Sequence, residues 1–447
     1  MNTIVSEEIG AKRLSGGRII AECLAVHGVD TAFCVPGESF LAVLDALHDY
    51  QDQIRVIVGR HEAGTANMAE AYGKLTGKPG VCFVTRGPGS AQAAVALHTA
   101  WQDSTPMIMF VGQVAREQRG REAFQEVDYR DAYGHTAKWV VEISDPARAV
   151  EIVSRAFHVA VNGRPGPVVI SLPEDMQDEV VSFTPPAPFR RAIAAPSASA
   201  LGDMQHMIER AARPLVVLGG GGWSARAVAD IRQFAEAFAL PVVCGFRRQD
   251  LFDNTHANYA GFIGFGTNPR LWQMFDESDL LLVLGERLGD TTTTGYTLID
   301  FPRPRQKLIH VHPDPEELGI LYEGDVLINA TMADTAQALA ALSPARQPDR
   351  TAWIRRGHDE FLAFAAPRPD NPQDVDVPAI ISRLAIDLPP NAVVTNGAGT
   401  YTGYVHRHYL YRSYGSQLAP TSGAMGYGLP AAIAAKHAME QHGLSRV

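Results

Sequence analysis

One acid opens the chemistry of this sequence. Glu62 stands in the run Arg60-His61-Glu62-Ala63-Gly64-Thr65-Ala66-Asn67-Met68-Ala69-Glu70-Ala71-Tyr72-Gly73, just after the alternating residues Ile54, Val56 and Val58. The alternation predicts a strand, and the small residues predict a helix that can approach a second backbone closely. A carboxyl buried at that junction is withdrawn from water, which favours its protonated form and suits a group that both donates and accepts a proton. Beyond the stop residues Thr76-Gly77-Lys78-Pro79-Gly80, the apolar stretch Val81-Cys82-Phe83-Val84-Thr85 predicts a buried strand running into Arg86-Gly87-Pro88-Gly89. Acid and glycine loop are therefore expected at the same edge of one sheet.

Three more glycine clusters stand out, two of which could contact anions. Asn396-Gly397-Ala398-Gly399-Thr400 follows the strand pattern Ala392-Val393-Val394-Thr395, and its backbone amides suit diphosphate oxygens. Gly423-Ala424-Met425-Gly426-Tyr427-Gly428-Leu429-Pro430 precedes an alanine-rich helix. Gly219-Gly220-Gly221-Gly222 follows the strand pattern Pro214 to Leu218, a setting that attracts phosphate. In that last case Ser224 stands where a dinucleotide fingerprint has its third glycine, and no acid follows a clean second strand at the usual offset. A structural tight turn is the default reading there.

These loops need sheets to carry them. Helix patterns (Ile19, Ile20, Cys23, Leu24; Phe40, Val43, Leu44, Leu47) alternate with strand patterns at Thr31 to Val35, Met107 to Val111 and Val168 to Leu172. Such alternation predicts parallel sheets covered by helices, with ligands beyond the carboxyl ends of the strands. The Pro, Ala and Ser-rich runs Ser182 to Pro188 and Ala194 to Ser199 read as a linker, as do Pro344 to Pro348 and Ala366 to Pro378. The fold class is α/β, with three consecutive doubly wound parallel-sheet domains, 1–185, 196–345 and 370–447.

Composition narrows the function. At 447 residues, 46% hydrophobic and 20% charged, the chain has the make-up of a soluble globular enzyme of two or three domains. A formal net charge of -10, without a Lys/Arg cluster, argues against a nucleic-acid partner. No apolar stretch reaches membrane-spanning length, and the acids in Met1 to Glu8 do not suit a signal peptide. Cys23, Cys34, Cys82 and Cys244 are widely spaced, with no metal-site spacing, and read as reduced core residues of a cytoplasmic protein.

The motifs together resemble a known family. Arg60-His61-Glu62, Cys34-Val35-Pro36-Gly37-Glu38, Arg86-Gly87-Pro88-Gly89, Val111-Gly112-Gln113-Val114 and Ala123-Phe124-Gln125-Glu126 match, in order, motifs of the pyrimidine-binding domain of thiamine-diphosphate-dependent enzymes. The likeness is to the acetolactate synthase-like group of 2-oxo acid decarboxylases and carboligases. The Gly423 to Pro430 run resembles the same family's diphosphate-binding motif. The resemblance implies thiamine diphosphate as cofactor, with Glu62 as the acid on its aminopyrimidine. It further implies cofactor contacts from Pro36, Gly37, Gly87, Gln113, Gly397, Gly399, Thr400, Gly423 and Met425, the last wedged under the bent cofactor. Gln113, Phe124, Gln125 and Lys138 are implied to face the substrate site, Lys138 as a carboxylate or phosphate partner.

The reaction implied is decarboxylation of a 2-oxo acid and ligation to a second carbonyl, with simple decarboxylation as the alternative. Because the glutamate and the diphosphate loops of the family come from different subunits, a homo-oligomer, at least a dimer, is implied. The family's magnesium ligands, a Gly-Asp-Gly and a later Asn, would fall beyond Val447, so no metal ligand is expected within this chain and the third domain is expected to be incomplete. FAD stays open: Gly285-Glu286-Arg287 resembles the family's central domain, while Leu288-Gly289-Asp290-Thr291-Thr292 departs from the synthase pattern. A nicotinamide or flavin oxidoreductase using the Gly219 region, and a non-catalytic homologue, remain as other classes.

Overall fold

The structure is a computed structural model that describes residues 12–368 and 374–442. The acidic Met1 to Glu8 segment, part of the Ala366 to Pro378 linker and the final Gly443 to Val447 lie outside the described residues. Residues 12–74 and 78–191 form one compact unit; residues 75–77 group with the described part of 192–442 in the other.

The first unit is built on six parallel strands: β1 (Thr31–Cys34), β2 (Arg55–Val58), β3 (Gly80–Val84), β4 (Met107–Gln113), β5 (Trp139–Glu142) and β6 (Pro167–Pro173). Their order across the sheet is β2-β1-β3-β4-β6-β5. The inner strands β1, β3, β4 and β6 are buried along their whole length, as helices on both faces require. Strand order reverses at β1: the chain steps out to β2, then returns to lay β3 on the other side of β1. The turns leaving β1 and β3 therefore diverge and open a crevice between them at the carboxyl edge.

The helix Glu62–Thr76 is sunk into this unit, with every residue from Thr65 to Gly73 buried. Its small residues make that possible. A Cβ on Gly73 would lie 2.3 Å from the Pro106 carbonyl oxygen, and one on Gly80 would lie 1.8 Å from that of Ala69. Glu70, fully buried on this helix, has Lys74 at 3.3 Å.

The second unit holds another six-stranded parallel sheet: β7 (Pro214–Leu218), β8 (Val242–Cys244), β9 (Tyr259–Phe262), β10 (Leu280–Leu284), β11 (Lys307–His312) and β12 (Val326–Asn329). The order is β9-β8-β7-β10-β11-β12, with the reversal between β7 and β10. Further along lie the short parallel pair β13 (Val394–Thr395) and β14 (Gln417–Leu418) and the helices Val377–Asp387, Thr402–His408 and Gly428–His442. Residues 184–197, between the two six-stranded sheets in sequence, carry neither helix nor strand. Among the described residues no helix is long and apolar enough to cross a membrane.

His27 ties the end of the first unit to its core. Its Nδ1 accepts from the Phe189 N–H at 3.1 Å, which leaves Nε2 to donate to Ser154 Oγ at 3.0 Å, with the ring 4.6 Å from that of Phe157. Burial, with His158 as a second cause, pushes its pKa down from 6.5 to about 4.

Two outcomes follow. Gly73→Ala gains helix propensity worth roughly 1 kcal/mol but drives a methyl into a backbone carbonyl, an overpacking cost of about 1–3 kcal/mol, so urea denaturation should show a net loss of stability. For His27 the unfolded chain takes up the proton first as pH falls. The folded state should be at full strength above pH 6.5 and lose about 3 kcal/mol on descending to pH 4. His27→Gln should flatten that slope in denaturation curves taken across the same window.

Candidate functional site

Chemistry-bearing residues gather in two places, one in each unit. In the first unit the crevice at the β1/β3 reversal is lined by Pro36 and Gly37 on one side and by Thr85 to Gly89 on the other. Gly37 is held so close to Thr85 that a Cβ there would lie 2.6 Å from the threonine Cβ. Ser39 Oγ and Thr85 Oγ1 share a hydrogen bond of 2.9 Å across the crevice floor. Arg86, buried, donates through Nη2 to Glu38 Oε1 at 3.1 Å and lies 3.5 Å from Glu174, so it clamps the Gly37 turn to the Gly87 turn.

Glu62, the first residue of its helix, reaches this crevice. Its Oε1 lies 3.4 Å from the position a Cβ would occupy on Gly89, so acid and glycine loop meet at the sheet edge. The expectation of a buried carboxyl is corrected: Glu62 is half-buried, because the first helical turn stands at the crevice mouth, and the buried acid of this helix is Glu70. An acid that still reaches open space can exchange a proton with a bound group.

The segment after β4 forms a rim. Gln125 has a left-handed backbone (φ 66°), and its carbonyl accepts from the Gly87 N–H at 3.1 Å. Glu126 accepts from Gly120 N at 2.7 Å and Ala123 N at 3.1 Å; these bonds, that of Gly120 foremost, hold its carboxyl below the usual carboxylate range. The loop is thereby shaped to leave Phe124 75% exposed beside Gln125.

Two expected contacts are corrected. Gln113 does not face the crevice: it is fully buried, its oxygen accepting from Val114 N at 2.9 Å and its amide donating to the Val127 carbonyl at 2.8 Å. It supports the rim from below. Lys138 precedes β5, and its ammonium donates to the Asn162 carbonyl at 2.6 Å. Its own N–H pairs with Pro167, the first residue of β6, so Lys138 sits at the amino end of the sheet, opposite the crevice.

In the second unit the loop after β13 and the loop before the helix Gly428–His442 adjoin. A Cβ on Gly397 would lie 3.5 Å from Gly426 N and 3.7 Å from the Ala424 oxygen, and Thr395 Oγ1 donates to the Gly428 carbonyl at 2.8 Å. Gly399 takes φ 134°, Gly423 φ 71° and Gly426 φ 81°. Nothing lies within 4 Å of a Cβ built on Gly423 or Gly426, so this loop presents bare backbone to open space, a form that suits diphosphate oxygens. Thr400 and Met425 are exposed beside it, Met425 at 82%. Among the described residues no group of three or more His, Cys, Asp or Glu could hold a metal ion.

Sequence reasoning missed the supports. Ser39 and Thr85 look like ordinary loop and strand-end hydroxyls until the strand order brings them together. Tyr401, whose hydroxyl accepts from Gly397 N at 3.1 Å, and Arg247, which donates to the Pro420 carbonyl, steady the second pair of loops. The positive φ of Arg247, 59°, carries no sequence signal.

Comparison with known proteins agrees with this geometry. Residues 14–132 match the family described as thiamine pyrophosphate enzyme, N-terminal TPP binding domain, and residues 201–339 match its central domain. The large subunit of acetolactate synthase from Parasynechococcus marenigrum is 34% identical over 95% of this chain and 70% of its own length. The isozyme 1 large subunit of Escherichia coli is 34% identical over 95% of this chain and 75% of its own, and the Corynebacterium glutamicum large subunit 30% over 95% and 69%. Fold and matches together define a thiamine-diphosphate-dependent enzyme. Within that class, the chain belongs to the acetolactate synthase-like family.

Gly89→Ala tests the crevice. The methyl would stand 2.8 Å from Thr85 Cγ2 and crowd the Glu62 carboxyl. Small displacements of reacting groups cost up to about 10²-fold, so turnover should fall by roughly 10–10²-fold while the circular dichroism spectrum stays that of the parent.

Proposed function

We propose that this chain decarboxylates a 2-oxo acid and ligates the remaining fragment to a second carbonyl compound. The observation that carries the reading is the Glu62 carboxyl set against Gly89 at the strand-order reversal. When bound, thiamine diphosphate supplies the carbon nucleophile and electron sink that such chemistry needs. Glu62 would hold the pyrimidine edge and exchange a proton through Oε1. The Pro36-Gly37 and Gly87 turns would give that ring a close-fitting backbone wall, with Gln113 acting through the rim it supports. The amides of Gly397, Gly399 and Gly423, with the Thr400 hydroxyl, would hold the diphosphate, and the exposed thioether of Met425 would brace the bend. Phe124 and Gln125, on the rim, would meet the substrate. Magnesium accompanies the diphosphate in this reading.

The domain reading is pyrimidine-binding for 1–185, central for 196–345 and diphosphate-binding for 370–447, supported by one six-stranded sheet in each of the first two spans. A homo-oligomer of at least two chains would bring Glu62 of one copy to the diphosphate loops of another. Met425, in the loop before the helix Gly428–His442, and Leu429 and Ile433 on that helix are 82%, 75% and 40% exposed and support a partner surface there. Four buried free cysteines support a reducing compartment, the cytoplasm.

Glu62→Gln keeps the shape and removes the proton-exchanging group. With magnesium and pyruvate, the first donor to assay, turnover should drop by about 10²–10⁴-fold while thiamine diphosphate affinity and the circular dichroism spectrum change little. Parent-like turnover in that variant would refute the assignment of Glu62.

A further inference from the structure

The second unit has the strand order of a dinucleotide-binding sheet, with a glycine turn leaving β7 at the reversal between β7 and β10. In such sheets the pyrophosphate of a bound dinucleotide lies against that first turn, and glycine is needed so that backbone and phosphate can come close. Here the space beside the turn is already filled. Glu286, two residues beyond β10, points its carboxyl back across the reversal. Its Oε2 lies 2.0 Å from where a Cβ on Gly219 would stand and 2.1 Å from the same point on Gly245, the residues just after β7 and β8.

The carboxyl is fastened there. Oε1 accepts from the Arg287 N–H at 3.0 Å and from Thr292 Oγ1 at 3.1 Å, and the Glu286 carbonyl is 2.8 Å from His310 Nε2. Around it the turn is closed as well. Gly219 N donates to the Leu284 carbonyl at 3.1 Å, and the Trp223 indole donates to the Gly219 carbonyl at 2.8 Å. A Cβ on Gly220 would lie 2.1 Å from the Gly285 oxygen. Gly219, Gly220 and Gly245 thus make room for this chain's own backbone and acid.

We infer that Glu286 closes the nucleotide crevice of the second unit, so that this chain binds neither FAD nor a nicotinamide dinucleotide there. A pyrophosphate would have to displace a side chain held by two hydrogen bonds, or lie against it with like charge, and like charges in contact oppose association. Burial raises the carboxyl above its ordinary range, in keeping with a group seated away from water. The inference does not depend on the thiamine site, since flavin binding is read without turnover.

The test titrates FAD, and separately NADH, into the full chain and follows ligand fluorescence, for the parent, Glu286→Ala and Glu286→Ser. The serine variant keeps a hydrogen-bonding group beside Thr292 in case the alanine variant does not fold. The expected result is a flavin-free parent with no saturable site, and a folded opened variant that gains FAD affinity by at least about tenfold. Saturable FAD or NADH binding by the parent overturns the inference, as does a folded opened variant with no gain.

Discussion

The constraint on which both units depend is close approach of backbone at the carboxyl ends of parallel strands. Where strand order reverses, the turns leaving two neighbouring strands part company, and whatever occupies the gap must fit against peptide groups with no Cβ between. In the first unit Gly37 and Gly89 stand too near Thr85 to carry side chains without movement, and Glu62 looks onto Gly89. In the second, Gly219 and Gly245 face an acid in the same relation to their sheet. The two acids differ in solvation: Glu62, on the first turn of a helix, still reaches open space, whereas Glu286, turned back over the sheet, is 9% exposed and hydrogen-bonded into place. One position suits proton exchange with a ligand, the other a permanent plug.

Positioning in the first unit comes from polar residues beneath the crevice and along its walls. Gln113 is buried beneath the rim and spends both ends of its amide on backbone, a use that removes the cost of burying it unpaired. Arg86 joins the turn after β1 to the turn after β3 through Glu38, and the Ser39–Thr85 hydroxyl pair joins them again from below. Because these bonds run between segments nearly fifty residues apart in sequence, the crevice holds its width only when the sheet is assembled.

Much of this was legible in the chain. The alternating stretch announced β2, and the apolar runs announced β1, β3, β4, β6 and β7, because strands buried on both faces are continuous apolar runs. The glycine motifs announced the turns, because few other residues permit such approach. The role of Gln113 was not legible: a glutamine at a strand end reads the same whether its amide turns toward ligand or toward backbone. Lys138 was misplaced for a related reason. A lysine before a strand shares a sheet with the crevice yet lies a full strand length from it, and only strand direction separates the two ends. The partial exposure of Glu62 follows from its place on the first turn, which the small residues behind it did not reveal.

The sequence by itself determined the fold class, the family and the set of glycines and acids that could do chemistry, since these follow from residue type and spacing along the chain. Tertiary structure alone decided which acid meets open space and which fills a crevice, and which polar side chains touch the site and which hold it up. Those outcomes depend on distances between segments remote in sequence, set by strand order and packing, and no local pattern of residues encodes them.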